Sequence, residues 1–132
     1  MSTTSAALGL AGLLALGAIP LTAGVGNAAT SRLQLAASTL GDLAPYRAIA
    51  ADTLKIVDKG DLATAKARIK DLETQWDDAE ATMKPKDRTT WSSVDKAIDA
   101  ALTALRAPTP RLAECAATLK ALLAKMDDVG KA

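Results

Sequence analysis

The stretch that decides the fold is residues 62–83, LATAKARIKDLETQWDDAEATM. Its apolar residues recur at intervals of three and four, which is the spacing of side chains along one face of an α-helix. They are Leu62, Ala65, Ile69, Leu72, Trp76, Ala79 and Met83. Most positions between them carry charged or polar side chains. The pattern therefore predicts a long amphipathic helix that buries one face and exposes the other.

The same spacing occurs in three further segments, one before this stretch and two after it. The apolar positions are Leu43, Tyr46, Ala50, Leu54 and Val57 in the first segment, Trp91, Val94, Ile98, Ala101 and Leu105 in the second, and Leu112, Cys115, Leu119, Leu122 and Met126 in the third. A run of alternating β-branched residues, which would indicate a strand, does not occur. The sequence therefore predicts an all-α fold with four main helices.

Each of the four segments is preceded by a residue that can cap the start of a helix. The side-chain oxygen of such a residue can accept a hydrogen bond from a free N–H group of the first turn. These residues are Asp42, Asp61, Asp87 and Thr109. Pro45 falls inside the first turn of its helix, and Pro110 would be the first residue of the last helix, where proline is tolerated. Gly60 is placed to end the first helix.

The joints between the four segments are short, and short joints make successive helices antiparallel neighbours. An apolar repeat of about seven residues favours near-parallel packing around a shared seam. We therefore expect an up-down-up-down antiparallel four-helix bundle over residues 42–129. Residues 29–41 are expected to form a linker or a short helix, and residues 130–132 a tail.

Residues 1–30 contain no charged side chain, and all 16 basic and 15 acidic residues of the chain follow them. An apolar core from Ala6 to Ile19, a break at Pro20 and small residues before a cleavage point after Ala28 are typical of a secretory signal. No Lys or Arg precedes this core, although a signal normally has one. Residues 1–28 are therefore interpreted as a signal peptide, which predicts a periplasmic or secreted protein. The main alternative is an inner-membrane anchor formed by residues 6–25, whose 20 positions are about the number that a span requires.

Composition excludes several classes of function. The net charge is +1 and no stretch is strongly basic, so nucleic-acid binding has no electrostatic basis. The chain has no histidine, which excludes His-ligated haem, zinc sites built on His, and Ser-His or Cys-His nucleophile pairs. A glycine-rich phosphate loop is also missing. We therefore expect a non-enzymatic protein without a cofactor, in which the single cysteine, Cys115, is either buried and inert or available for intermolecular pairing.

The expected topology brings one group of residues to a single end of the bundle. The second and fourth helices would end there with Met83 and Met126, and the first and third would begin there with Tyr46 and Trp91. Aromatic residues and Met are enriched at protein interfaces, so these four residues are candidates for partner binding. The alternative is that they close the end of the core, since Met fills gaps well and Trp91 falls on a seam position.

Carboxylates crowd the same end and suggest a second kind of site. Asp77 and Glu80 share a face of the second helix, and Asp127 and Asp128 follow the last apolar position of the fourth. Oxygen-rich clusters suit Ca²⁺, Mg²⁺ or Mn²⁺, so these four residues are candidate metal ligands. The alternative is a solvated outer face, which is also the interpretation given to the like-charged pair Asp95 and Asp99 on the third helix.

Residues 61–106, DLATAKARIKDLETQWDDAEATMKPKDRTTWSSVDKAIDAALTALR, resemble a group of small exported all-helical proteins of proteobacteria with no established function. The likeness rests on Leu72-Glu73, Trp76–Glu80, Lys84-Pro85 and the segment from Trp91 through Val94–Asp99. It implies a compartment and a fold, not an activity. Some members of that group carry a histidine-kinase label, which this chain does not support, since it has neither a phospho-acceptor histidine nor a nucleotide-binding glycine motif.

Together these observations predict an exported, non-enzymatic helical-bundle binding or structural module of the cell envelope. Its partner would be an envelope protein, and it would meet a membrane only through an uncleaved leader. The alternative is a periplasmic divalent-cation-binding or sensing protein that uses the carboxylate-rich end of the bundle.

Overall fold

The structure is a computed structural model that describes residues 38–131, and this part of the chain contains four α-helices. They are α1 Ala44–Asp58, α2 Leu62–Met83, α3 Arg88–Leu105 and α4 Leu112–Val129. Residues 38–131 contain no β-strand, and a single isolated bridge joins Ser38 and Gly41. The prediction of an all-α fold with four helices is confirmed.

Each helix packs against two others. The α1 helix lies against α2 and α4, and α3 lies against the same two helices. Side-chain contacts show how the helices face one another: Arg47 near the start of α1 reaches Asp127 near the end of α4. Further along α1, Asp52 reaches Arg68 in α2. This packing is compatible with a four-helix bundle.

The predicted seam positions supply most of the core. Trp76 of α2, Ile98 of α3 and Leu119 of α4 have only 1%, 2% and 0% of their surface exposed. The other buried residues of the predicted seams are Leu43, Ala50, Val57, Ala65, Ile69, Leu72, Met83, Trp91, Val94, Ala101, Leu105, Cys115, Leu122 and Met126. Burial of one large apolar side chain contributes about 1.5–3 kcal/mol, so this set is the main source of stability.

Aspartate caps begin two of the helices as predicted. Asp61 accepts from the backbone N–H of Thr64 at 3.0 Å, and Asp87 accepts from the N–H of Thr90 at 3.0 Å. Each threonine hydroxyl also donates to the second oxygen of its aspartate. These hydrogen bonds to the Thr64 and Thr90 side chains are the main reason that the pKa of each carboxyl lies below its usual value.

The first helix begins at Ala44, one residue later than a cap at Asp42 predicts. Leu43 occupies the capping position and has no capping side-chain hydrogen bond. The carboxylate of Asp42 nevertheless accepts from the N–H of Ala44 at 2.9 Å, so it still satisfies a free amide of the first turn. The end of this helix is as predicted, because Gly60 follows it with a φ of 83°, a conformation that glycine adopts without steric cost.

The start of the fourth helix was predicted incorrectly. Thr109 and Pro110 lie outside α4, which begins at Leu112 after a capping position occupied by Arg111. The backbone of Arg111 is extended, with φ −107° and ψ 129°, and an extended residue cannot continue a helix begun at Pro110. No side chain caps this start. Leu112, expected on the seam, lies 47% exposed in the first turn.

A short segment before α1 is part of the folded unit. Leu40 is 1% exposed and belongs to the core, although the bundle was expected to begin at residue 42. Ser38 and Gly41 close a tight turn, in which the Ser38 hydroxyl donates to the Gly41 carbonyl at 2.8 Å. Thr39 donates to the Asp87 carboxylate at 2.9 Å and so ties this turn to the start of α3.

None of the helices within residues 38–131 is both long enough and apolar enough to span a membrane. The predicted signal peptide at 1–28 and the alternative anchor at 6–25 lie outside the described residues, as do positions 29–37 of the expected linker. Export and the fate of the leader therefore stay predictions.

Candidate functional site at the aromatic end of the bundle

The three aromatic side chains of the protein form one continuous stack, and each comes from a different helix. The ring of Tyr46 on α1 meets the ring of Trp76 on α2 edge to face, with centroids 5.4 Å apart and an angle of 89°. Trp76 in turn stacks on Trp91 of α3 at 5.7 Å, with only 14° between the planes. Such pairs contribute about 0.5–1.5 kcal/mol each beyond burial. We call Tyr46, Trp76 and Trp91 the aromatic stack.

The two tryptophans differ in how their indole N–H groups are used. Trp76 donates through Nε1 to Oδ1 of Asp95 at 3.0 Å. Trp91 is 6% exposed, and its Nε1 is buried without a hydrogen-bond partner among the described residues. An unsatisfied buried donor costs about 1–3 kcal/mol, so native proteins rarely retain one without a reason.

Lys84, at the end of α2, covers the ring of Trp91. Its Nζ lies 4.5 Å from the ring centroid, within the range of a cation–π contact. The same Nζ is 2.6 Å from Oε1 of Glu80, one turn earlier in α2. The lysine side chain is 33% exposed, so solvent reaches the residue that lies over the Trp91 ring.

The four residues predicted to bind a partner do not form an exposed patch. Met83, Trp91 and Met126 belong to the core and are 6%, 6% and 2% exposed. Tyr46 is the exception, because it is half-buried and borders the core. The burial of three of the four agrees with the alternative in which they close the end of the core. Docking at this end stays a prediction, with Tyr46 as its directly accessible member.

The four predicted metal ligands are not gathered into one site. Within residues 38–131 no three Asp, Glu or Cys side chains lie close enough together to hold a metal ion. Glu80 is paired with Lys84, and Asp127 is paired with Arg47. Asp77 and Asp128 are exposed. The cation-binding hypothesis therefore gains no support from the geometry, and titration calorimetry with Ca²⁺, Mg²⁺ and Mn²⁺ remains its test.

The role of Asp95 was missed in the sequence, where it was interpreted as part of a solvated face. Its carboxyl is partly buried, and this burial is the largest cause that raises its pKa. The hydrogen bond from Trp76 acts in the opposite direction, while the charges of Asp99, Asp77 and Glu80 raise the pKa further. A tryptophan nineteen residues earlier in the chain gives no local sign that it will donate to this carboxylate.

An open groove of about 460 Å³ lies beside the aromatic stack. It is lined by Asp77, Glu80 and Ala81 of α2, by Lys84 and Pro85 in the turn that follows, and by Arg88, the first residue of α3. The groove thus carries two carboxylates and two cations. The Lys84 that covers Trp91 forms part of its wall, so a molecule in this groove would contact the covering residue.

Cys115 is buried, in agreement with the first of the two predictions made for it. Burial is the largest cause that raises the pKa of its thiol, and the charge of Glu114 raises it further. A thiol with a raised pKa forms less of the reactive thiolate. This cysteine is therefore unsuited to nucleophilic chemistry in the folded protein.

Comparison of the chain with protein-family models, with curated proteins and with solved structures finds no match in any of the three. The resemblance to small exported helical proteins stays a prediction, and any function has to be argued from the residues themselves.

Proposed function

We propose that this chain is an exported, non-enzymatic helical-bundle module of the cell envelope that binds a protein partner at the aromatic stack. The observation that carries the proposal is the buried N–H of Trp91, which has no acceptor among residues 38–131. A partner carbonyl or carboxylate that reached this N–H would remove a cost of about 1–3 kcal/mol. That gain would appear only in the complex.

The surroundings of Trp91 support this mechanism. Lys84 covers the ring with a flexible, partly exposed side chain, so its displacement would open a route to Trp91 without moving a helix. Tyr46 offers a half-buried ring at the other side of the stack. Tyr and Trp are enriched among the residues that dominate binding energy at interfaces, where they lie at the centre and a polar rim surrounds them. An up-down-up-down topology, with α1 and α3 starting at this end, would account for the meeting of Tyr46 and Trp91 at the same end of the bundle.

Crosslinking in the native envelope followed by purification of the chain tests the proposal. Tyr46→Ala removes the accessible ring, and Trp91→Phe removes the indole N–H while it keeps an aromatic ring in the core. Both variants should lose the crosslinked protein that the wild type retains, and circular dichroism should show unchanged helix content. Leu112→Ala is the matched control, because Leu112 is an exposed apolar residue in the first turn of α4.

The control should retain the partner at the wild-type level. Equal recovery with the wild type, Tyr46→Ala and Trp91→Phe would exclude the aromatic stack as the docking surface. Once the partner is known, calorimetry with the purified pair should show at least tenfold weaker binding for Tyr46→Ala, as expected when a central interface residue is truncated.

The location in the envelope rests on residues 1–28 and has a separate test. We expect the exported protein to lack these residues, as cleavage after Ala28 requires. Intact-mass measurement of the protein recovered from the periplasm or medium gives the answer directly. A full-length mass in the membrane fraction would favour the anchor at residues 6–25, and a full-length mass in the cytoplasm would contradict export.

A further inference from the structure

The contact between Asp95 and Trp76 links a partly exposed charge to the centre of the core. Asp95 Oδ1 accepts from Trp76 Nε1 at 3.0 Å, and the hydrogen bond crosses from α3 to α2. Trp76 is 1% exposed and contacts both other rings of the aromatic stack. A change in the charge of Asp95 therefore acts directly on the packing between these two helices.

The groups that face Asp95 are mainly acidic. Asp77 and Glu80 face it from α2, and Asp99 faces it from the next turn of its own helix. Glu80 is paired with Lys84, and Arg88 lines the same groove as Asp77 and Glu80. With every carboxylate ionised, α2 and α3 carry like charges around Asp95, which oppose close approach there. Further along the seam, Arg106 pairs with Glu73.

The seam between α2 and α3 has room to respond to this repulsion. These helices touch each other less extensively than the other neighbouring pairs do. Two open grooves lie along the seam, one of about 460 Å³ beside Asp77 and Glu80, and one of about 610 Å³ beside Glu73 and Asp99. Side chains that border open space can separate without the creation of a buried cavity.

We propose that Asp95 is a proton-controlled clamp between α2 and α3: uptake of a proton by its carboxylate closes the seam around Trp76, and release of that proton loosens it. The proton comes from solvent, and the indole N–H of Trp76 remains donated to the carboxyl oxygen in both states. Accessibility of the aromatic stack would then depend on the pH outside the cytoplasm. The clamp requires no binding partner, so a result that excludes the proposed function would not exclude the clamp.

The direction of the effect follows from linkage. The pKa of Asp95 is raised in the folded protein above the value of about 3.9 expected in the unfolded chain. Between these two values the folded state binds more protons, so stability rises as the pH falls through the folded pKa. The pKa values of Glu73 and Asp127 are lowered, so these carboxylates lose only part of their stabilising contributions at pH 4.5.

Hydrogen exchange of the full chain, read by mass spectrometry and corrected for the intrinsic pH dependence, tests the clamp. In the wild type, amides of α2 and α3 around Trp76 and Asp95 should be several-fold better protected at pH 4.5 than at pH 7.5. Asp95→Asn keeps an acceptor but removes the charge, so its protection should be high at both pH values. Asp78→Asn, a change at an exposed position of α2, should respond as the wild type does.

A pH response in Asp95→Asn equal to that of the wild type would overturn the proposal, and so would a wild type without a response. If Asp95→Asn does not fold, Asp99→Asn serves instead, since it leaves the hydrogen bond to Trp76 in place. Tryptophan fluorescence of this variant and of the wild type is then measured across a pH titration. Removal of the Asp99 charge should move the midpoint to lower pH, because that charge raises the pKa of Asp95. An unchanged midpoint would equally overturn the clamp.

Discussion

The indole ring of Trp76 lies nearly parallel to that of Trp91, 5.7 Å away across the seam between α2 and α3. Polar contacts also join the two sides of this seam: Trp76 donates to Asp95, and Arg106, directly after α3, donates to Glu73. This seam therefore combines one buried aromatic contact with charged groups on its outer side. Its stability depends on a few identifiable interactions, which makes it the most informative place for substitutions.

The hydrogen bond of Trp76 can be separated from the packing of its ring. Trp76→Phe keeps an apolar ring but leaves the partly buried Asp95 carboxylate without its donor. We expect a loss of about 1–3 kcal/mol in the free energy of unfolding, in addition to the effect of the smaller ring. Urea unfolding at pH 7 measures the loss.

Trp91→Phe is the matched control for this measurement. It makes the same change in ring size but removes an N–H that has no acceptor among the described residues. Its cost should therefore be clearly smaller than that of Trp76→Phe. If both variants lost the same stability, the hydrogen bond to Asp95 would contribute nothing beyond packing.

The difference between core and surface leucines provides a second prediction. Leu119 has no exposed surface, so Leu119→Ala should destabilise the protein by about 2–5 kcal/mol through lost burial and the cavity that remains. Leu112 is 47% exposed, and Leu112→Ala should change stability by less than about 0.5 kcal/mol. Thermal and urea unfolding of the two variants give both values. Similar losses at the two positions would contradict the exposure of Leu112.

The sequence was sufficient to predict most of the core residues, because the positions of Ile69, Ile98 and Leu119 follow from helical periodicity alone. The caps at Asp61 and Asp87 were predictable for a similar reason, since each depends on a threonine only three residues away. Such signals are local. They need no knowledge of which helices become neighbours.

Features that depend on contacts between distant segments were not predictable. Leu40 joins the core from outside the periodic segments, and Lys84 lies over Trp91 because the turn after α2 places it there. Asp95 has the same spacing from Asp99 as any pair on a solvated helix face. The hydrogen bond that it accepts from Trp76 therefore could not be predicted from the sequence spacing. The candidate site consists largely of such contacts.

The cap at Asp87 joins the start of α3 to the turn before α1 and should therefore be important for stability. Its carboxylate accepts from the N–H and hydroxyl of Thr90 and from the hydroxyl of Thr39. Asp87→Ala removes all three hydrogen bonds, so we expect a fall of several degrees in the melting temperature. Asp87→Asn retains an acceptor oxygen and should lie between Asp87→Ala and the wild type. A melting temperature unchanged in Asp87→Ala would show that these three hydrogen bonds add no measurable stability.

The ion pair between Arg47 and Asp127 predicts a specific dependence on pH. Arg47 donates from Nε and Nη2 to the two carboxylate oxygens, at 2.5 and 3.0 Å, and so joins the start of α1 to the end of α4. The hydrogen bond from Arg47 is the largest cause that lowers the pKa of Asp127. Both side chains are more than two-fifths exposed, so solvent screens the pair, and it should contribute only about 0.2–1 kcal/mol.

A carboxylate whose pKa is lowered on folding stabilises the protein above its unfolded pKa of about 3.9, and the contribution disappears as the pH falls through the folded value. Arg47→Gln should therefore be less stable than the wild type at pH 7, and the two unfolding free energies should converge as the pH falls through the lowered pKa of Asp127. Added salt at pH 7 should also reduce the difference, because exposed charges are screened. A difference independent of both pH and salt would mean that Arg47 acts through the packing of its methylene groups rather than through its charge.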